Sequence, residues 1–89
     1  MALTKTLAAE WASAGVRVNA LCPGWTATDL NRNLWEDEAT SAATIAGVPM
    51  RRWGTPVEMA QPAVFLAGEA SSYMTGQVLF IDGGATAIG

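Results

Sequence analysis

The sequence predicts an α/β fold of two parallel strands with covering helices, and three observations carry that prediction. Val16 to Leu21 is a short apolar run with β-branched residues that stops at Cys22-Pro23-Gly24, where proline removes a ladder donor and glycine permits a tight turn. Val78 to Ile81 is a second apolar run, left through Asp82-Gly83-Gly84. The stretch between them carries helical periodicity and is far too long for a hairpin. The strands are therefore expected to pair in parallel, joined by a right-handed crossover, with helices on the sheet faces.

The elements follow in chain order. From Met1 to Ala14, the residues Leu3, Leu7, Trp11 and Ala14 recur at helical spacing and Gly15 stands where a C′ glycine ends a helix, so one helix with one buried face is expected. Met1 and Ala2 carry no side-chain oxygen to cap the first backbone N–H groups, and the helix is expected to be the later part of a longer one. Between Thr28 and Gly47, Leu30, Leu34 and Trp35 share one face and an Ala/Thr-rich stretch follows. Two short helices separated near Glu36-Asp37 are expected. Thr55-Pro56-Val57-Glu58 is a strong helix start, with a capping threonine, proline at the first helical position and glutamate three residues after the cap. That helix should run to Ala67 before Gly68. Pro62 lies inside it at a cost of about 3 kcal/mol in an undisturbed interior, so a kink is expected there.

Composition narrows the function classes. The 89 residues allow one domain, residues 1–89, with no repeat or linker. A chain of this size buries roughly two-thirds or less of its unfolded surface. Its apolar share of 51% without glycine is high, so part of that surface and the free edge of the first strand are expected to need a partner. The net charge of −3, with Arg51-Arg52 as the sole basic cluster, argues against nucleic acid and anionic membrane. No apolar run is long enough to span a bilayer, and the N-terminus lacks the layout of a signal peptide. One cysteine allows no intrachain disulfide, which fits a cytoplasmic protein, and the absence of histidine leaves no metal site suggested.

Arg17-Val18-Asn19, the run Asn19-Ala20-Leu21-Cys22-Pro23-Gly24-Trp25-Thr26-Ala27-Thr28, Thr75-Gly76-Gln77 and Asp82-Gly83-Gly84 together resemble the C-terminal part of the short-chain dehydrogenase/reductase family, over nearly the whole chain. The resemblance implies the C-terminal portion of a Rossmann-type doubly wound parallel sheet, incomplete as a stand-alone fold. It also implies NAD or NADP as cofactor and hydride transfer between that cofactor and a small-molecule alcohol or ketone. The runs Ala9-Glu10-Trp11 through Pro23-Gly24-Trp25 and Arg52-Trp53-Gly54 are most similar to family members acting on gluconate-type sugar acids. The family's Gly-rich fingerprint and Tyr-x-x-x-Lys pair are not in this sequence. Tyr73 is followed four positions later by Gln77, and Leu3-Thr4-Lys5 corresponds to residues after the catalytic pair, so the missing lysine is expected about one helical turn before Met1. No catalytic residue is assigned to this chain, which is expected to be inactive alone. Its expected partners are the N-terminal half or sister subunits. A non-catalytic module that docks onto either is the alternative.

In open α/β sheets, ligands bind beyond the carboxyl ends of the strands, where the turn after Leu21 must lie. The family's Pro-Gly-x-x-x-Thr pattern is matched from Pro23 to Thr28, and the resemblance implies that Pro23, Gly24, the backbone of Thr26 and the hydroxyl of Thr28 hold the nicotinamide carboxamide. Read without the flanking motifs, Pro-Gly is an ordinary turn and Thr28-Asp29 an ordinary helix cap. Trp25, Leu30, Leu34 and Trp35 fall where the family places its substrate lid, and helix packing accounts for them almost as well. Trp11 and Trp53 read as packing anchors, and Cys22 as a structural thiol. Asn19 either bridges neighbouring strands or faces solvent. Arg52-Trp53-Gly54-Thr55-Pro56-Val57-Glu58 resembles a family stretch that ties a loop to a helix start.

Overall fold

A computed structural model describes residues 2–88; Met1 and Gly89, and with Met1 the expected uncapped helix start, lie outside the described residues. Helix α1 spans Ala2–Trp11 and tightens into a 3₁₀ turn, Ala12–Ala14. Gly15 ends it with φ 78° and donates its N–H to the Ala12 carbonyl, a left-handed closure that suits glycine. Strand β1 is Ala20–Pro23 and β2 is Val78–Ile81, paired in parallel with Ala20 opposite Val78 and Pro23 opposite Ile81. Between them come a 3₁₀ turn, Asp29–Asn31, then α2 at Arg32–Trp35, α3 at Glu38–Thr44 and α4 at Pro56–Ala67.

The first strand sits later than expected, and the reason lies in its neighbours. The Val16 N–H bonds back to the Trp11 carbonyl, Val18 N–H bonds to the Thr75 hydroxyl, and Asn19 bridges the Met74 carbonyl and the Gln77 N–H. Side-chain bonds thus interrupt the ladder over residues 16–19, where the one backbone bond across to the second strand's approach is from the Gly76 N–H to the Val18 carbonyl at 2.7 Å. Regular pairing begins only at Ala20, whose N–H meets Gln77 at 2.9 Å. At the other end the ladder runs past the proline: Ala20 and Gly24 donate to β2, so alternation turns Pro23 away from it and its missing N–H costs no bond there.

Each helix boundary has a local cause. Asp37 caps α3, accepting from the Thr40 N–H at 2.9 Å and its hydroxyl at 2.6 Å. Thr55 and Glu58 form the expected capping box of α4, with Pro56 at its first position. The helix runs unbroken through Pro62 to Ala67. The proline leaves the Glu58 carbonyl without an intrahelical donor, and α4 contains no fully buried residue, so water can supply one. Arg17 closes the far end of α4: its guanidinium donates to the carbonyls of Leu66, Gly68, Ser71 and Met74 and to the Ser71 hydroxyl, at 2.8–3.3 Å.

The core is small. Among the described residues only Ala8 and Val48 are buried apolar side chains, and Ser71 is the buried polar one. The expected buried face of α1 is covered only in part: Leu7 is half-buried, whereas Leu3 is 70% exposed and Ala14 and Trp11, the latter read as a packing anchor, are also exposed. Ala8, lying against Gly76, is the one residue of that helix that is sealed from solvent. The radius of gyration is 15.7 Å, whereas a compact domain of this length has about 12 Å. A two-stranded sheet in a particle of 50 × 25 × 20 Å cannot shield the helices from water on its own. The fold is α/β and incomplete as a stand-alone unit.

Candidate functional site

The chain leaves β1 through Pro23 to Thr28, and this turn is held from both sides. The Gly24 N–H donates to the Ile81 carbonyl at 2.9 Å, at the carboxyl ends of both strands. A Cβ on Gly24 would stand 2.7 Å from the Asp82 Cα, so only glycine lets the two backbones approach this closely. On the other side Gly54 donates to the Trp25 carbonyl at 2.9 Å and accepts from the Ala27 N–H at 3.0 Å, an isolated parallel bridge. The loop that supplies Gly54 is pinned by the Arg52–Glu58 fork, with both guanidinium nitrogens 2.8 Å from carboxylate oxygens. That fork, with the Thr55 backbone N–H, holds the Glu58 carboxyl at about 2 instead of 4.5. The expected architectural role of this stretch is what the structure displays.

The hydroxyl residues come next. Thr26 donates its hydroxyl to the Gly24 carbonyl at 3.0 Å, and its carbonyl accepts from the Asn31 amide at 2.8 Å. Its N–H has no partner among the described residues. Thr28 is the N-cap of the following 3₁₀ turn, so the helix-cap reading holds as local structure. Its N–H and hydroxyl both donate to Asn31 Oδ1, at 2.8 and 3.1 Å, and the hydroxyl oxygen faces the Asn31 N–H in a capping box, which leaves it one further lone pair. Asn31, which the sequence reading passed over, is therefore the organiser of this turn. The signal was present: a polar side chain three residues after a threonine cap.

The four lid candidates separate. Trp25 is half exposed and meets Trp53 edge to face, with ring centroids 5.9 Å apart at 70°. Trp53 in turn donates its indole N–H to the Ser41 hydroxyl in α3 at 2.7 Å, in keeping with an anchor role. Trp35 donates its indole N–H to the Thr28 carbonyl at 2.8 Å, with Arg32 over its ring. Leu34 is half-buried, while Leu30 is 98% exposed and touches none of this network.

Pro23, Gly24 and Trp25 line an open groove of about 490 Å³ with Cys22, Phe80 and Thr86; the Cys22 thiol is free and half-buried. Trp25 and Gly54 also face a smaller cavity of about 120 Å³ that reaches Met50 and Ile81. Thr26 and Thr28 line neither. Asp82 closes the end of β2 by accepting from the N–H groups of Gly84 and Thr86 and from the Thr86 hydroxyl. The hydroxyl bond, at 2.7 Å, is the main reason its carboxyl lies below the usual range. Among the described residues no group of histidine, cysteine, aspartate and glutamate side chains could hold a metal. Among them, too, no helix is long and apolar enough to cross a membrane.

The glycine-tight turn thus sits at the carboxyl ends of the parallel strands and carries a Thr26 N–H with no partner among the described residues. The sequence profile described as enoyl-(acyl carrier protein) reductase, of the short-chain dehydrogenase C2 group, matches residues 1–86. The chain belongs to the short-chain dehydrogenase/reductase family. A 2-dehydro-3-deoxy-D-gluconate 5-dehydrogenase of Pseudoalteromonas atlantica is 48% identical over 82 residues, which are 92% of this chain and 32% of that protein. A galactitol 2-dehydrogenase (L-tagatose-forming) of Cereibacter sphaeroides is 49% identical over 94% of this chain and 33% of its own length. The crystal structure of a gluconate 5-dehydrogenase from Burkholderia cenocepacia, in complex with NADP and tartrate, superimposes with a TM-score of 0.84. It is 44% identical and covers 97% of this chain and 34% of that one. The chain thus spans about a third of the length of the relatives it matches. Its fold is the C-terminal portion of the family's Rossmann-type doubly wound sheet.

Proposed function

We propose that this short-chain dehydrogenase/reductase chain supplies the nicotinamide-side turn and substrate cover of an NAD(P)-dependent oxidoreductase acting on an alcohol or ketone of the sugar-acid or polyol class. A bound nicotinamide supplies or accepts the hydride. The supporting observation is the pairing of an unsatisfied Thr26 N–H with the lone pair that the Thr28 hydroxyl keeps beyond its capping-box contact to the Asn31 N–H. A carboxamide needs one donor for its carbonyl and one acceptor for its amino group, and these two groups offer that set. The fit extends to Gly24, whose lack of a side chain keeps the turn pressed against Asp82. The names of the relatives support the substrate class.

On this reading Pro23 and Gly24 set the turn, Thr26 and Thr28 orient the carboxamide, and Trp25, Leu34 and Trp35 exclude water. Leu30, fully exposed here, acts only if something packs over it. The chain holds no Tyr-x-x-x-Lys pair, so none of its own residues supplies the proton for carbonyl reduction. Purified alone, it should give no turnover with NAD or NADP on alcohols or sugar acids, read by the near-ultraviolet absorbance of reduced nicotinamide. Sustained turnover would contradict that expectation. Its partners are then a complementary N-terminal portion or sister subunits, in the cytoplasm.

The test of the turn is Thr28→Val, with this chain completed by the N-terminal portion of a relative in cis or in trans. Removing the hydroxyl should weaken cofactor binding by about 1 kcal/mol, or more if a buried amide is left unpaired. Thr44→Val serves as the control, since that hydroxyl bonds only the Thr40 carbonyl. Equal cofactor affinity in both variants would reduce Thr28 to a helix cap. The second reading, a non-catalytic docking module, draws on the thin core of Ala8 and Val48. It would be favoured if the completed protein bound its partner portion tightly yet bound no cofactor.

A further inference from the structure

The segment from Asp29 to Thr44 follows the turn without a core of its own: Leu34 and Trp35 are half-buried, and neither α2 nor α3 contains a fully buried residue. Partial apolar burial leaves the place of this cover loosely set, and directional polar ties add the register. Two of those ties are indole N–H groups, one at each short helix. Trp35 joins α2 to the Thr28 carbonyl at 2.8 Å. Trp53, from the loop bridged to Trp25 and Thr26, joins α3 to that same loop through the Ser41 hydroxyl at 2.7 Å, while its ring props Trp25 edge-on.

We propose that Trp35 and Trp53 are positioning residues that register the substrate cover to the nicotinamide-side turn, one indole tether for each short helix. This rests on the function proposed above and adds a mechanism for substrate affinity. Neither indole needs to touch substrate. Each fixes one helix relative to Trp25–Thr28, so that the polyol or sugar-acid chain meets a cover already in place and does not have to order it on binding. Phenylalanine at either position keeps an aromatic ring but loses the donor together with part of the indole's bulk, so Ser41→Ala, which removes the same bond and leaves Trp53 whole, isolates the donor's role.

The experiment uses the chain completed by a relative's N-terminal portion, with NADP and gluconate as probes. Trp53→Phe and Ser41→Ala should each raise the gluconate KM several-fold, leave cofactor affinity unchanged, and speed amide exchange over residues 38–44 by about three- to tenfold, as expected for one lost hydrogen bond. The double variant should be no worse than either single one, because both remove the same bond. Ser41→Thr should restore the parent values. Trp35→Phe should speed exchange over residues 32–35 instead. Unchanged exchange in these windows, or additive effects of Trp53→Phe and Ser41→Ala, would overturn the proposal. So would a KM that stays flat while exchange rises. Because exchange is read without cofactor, failure of the tethers is distinguishable from failure of Thr28→Val, which would remove the nicotinamide assignment and leave the tethers standing.

Discussion

Arg17→Met should be the most damaging single change away from the turn, lowering stability by about 3 kcal/mol in a urea titration of the completed protein. The guanidinium gathers the carbonyls of Leu66, Gly68, Ser71 and Met74, within 2.8–3.3 Å, and it does so from a partly buried position. Leu66 lies in the last turn of α4, where carbonyls lack intrahelical donors and carry the negative end of the helix dipole. Methionine keeps the stem and removes five charge-assisted bonds together, leaving these carbonyls only neutral partners, among them the Ser71 hydroxyl at Leu66 and Gly68, the Met74 N–H at Ser71 and the Asn19 amide at Met74. Ser71 cannot compensate, because its hydroxyl, 1% exposed as a residue, already faces the carbonyls of Phe65, Leu66 and Gly68. Arg17→Lys should recover only part of the loss, since an ammonium cannot span the fork. Arg32→Met makes the contrast: its partners Asp29 and Glu36 are exposed, and its removal should be nearly neutral. A stability loss for Arg17→Met no larger than that for Arg32→Met would refute the capping role.

Arg17 also marks where sequence reasoning stopped. Local chemistry was legible: the Thr55 to Glu58 capping box, the Gly15 stop, the break at Glu36-Asp37 and the Val78–Ile81 strand all stand as expected. Each is decided by residues within a few positions of one another. Arg17 bonds groups 49 to 57 residues away, and Asn19 reaches Met74 across 55, so nothing in a local window announces either contact. The same long-range bonds displaced the first strand, because an apolar run at Val16 looks like a ladder until its polar neighbours claim the backbone opposite. The misjudged face of α1 has another cause. Periodicity reports which side of a helix is built for burial and not what covers it, and among the described residues the cover reaches Leu7 and Ala8 but not Leu3 or Trp11. At the turn, Pro-Gly-x-x-x-Thr could be found by spacing, whereas the tryptophan tethers join Trp53 to Ser41 and Trp35 to Thr28 through single indole bonds that no hydrophobic pattern encodes.

Gly24→Ala should damage stability and cofactor binding together, which separates it from an ordinary loop substitution. The added Cβ would lie 2.7 Å from both Cα and Cβ of Asp82, and a backbone atom cannot rotate out of the way as a flexible side chain can. Relief has to come from parting the turn and the end of β2, which stretches the 2.9 Å bond from Gly24 to Ile81. Overpacking of this kind costs about 1–3 kcal/mol, visible as a lower urea midpoint with an unchanged slope. The displacement carries Trp25 and Thr26 with it, since both follow Gly24 directly, so affinity for NADP in the completed protein should fall by about tenfold, the equivalent of about 1.4 kcal/mol of lost binding energy. Gly47→Ala tests the argument from the other side: nothing lies within 4 Å of its would-be Cβ, and alanine there should be neutral or slightly stabilising. If Gly24→Ala matched Gly47→Ala in both midpoint and cofactor affinity, the turn would have room it does not show, and close backbone approach would not be what places Thr26 and Thr28.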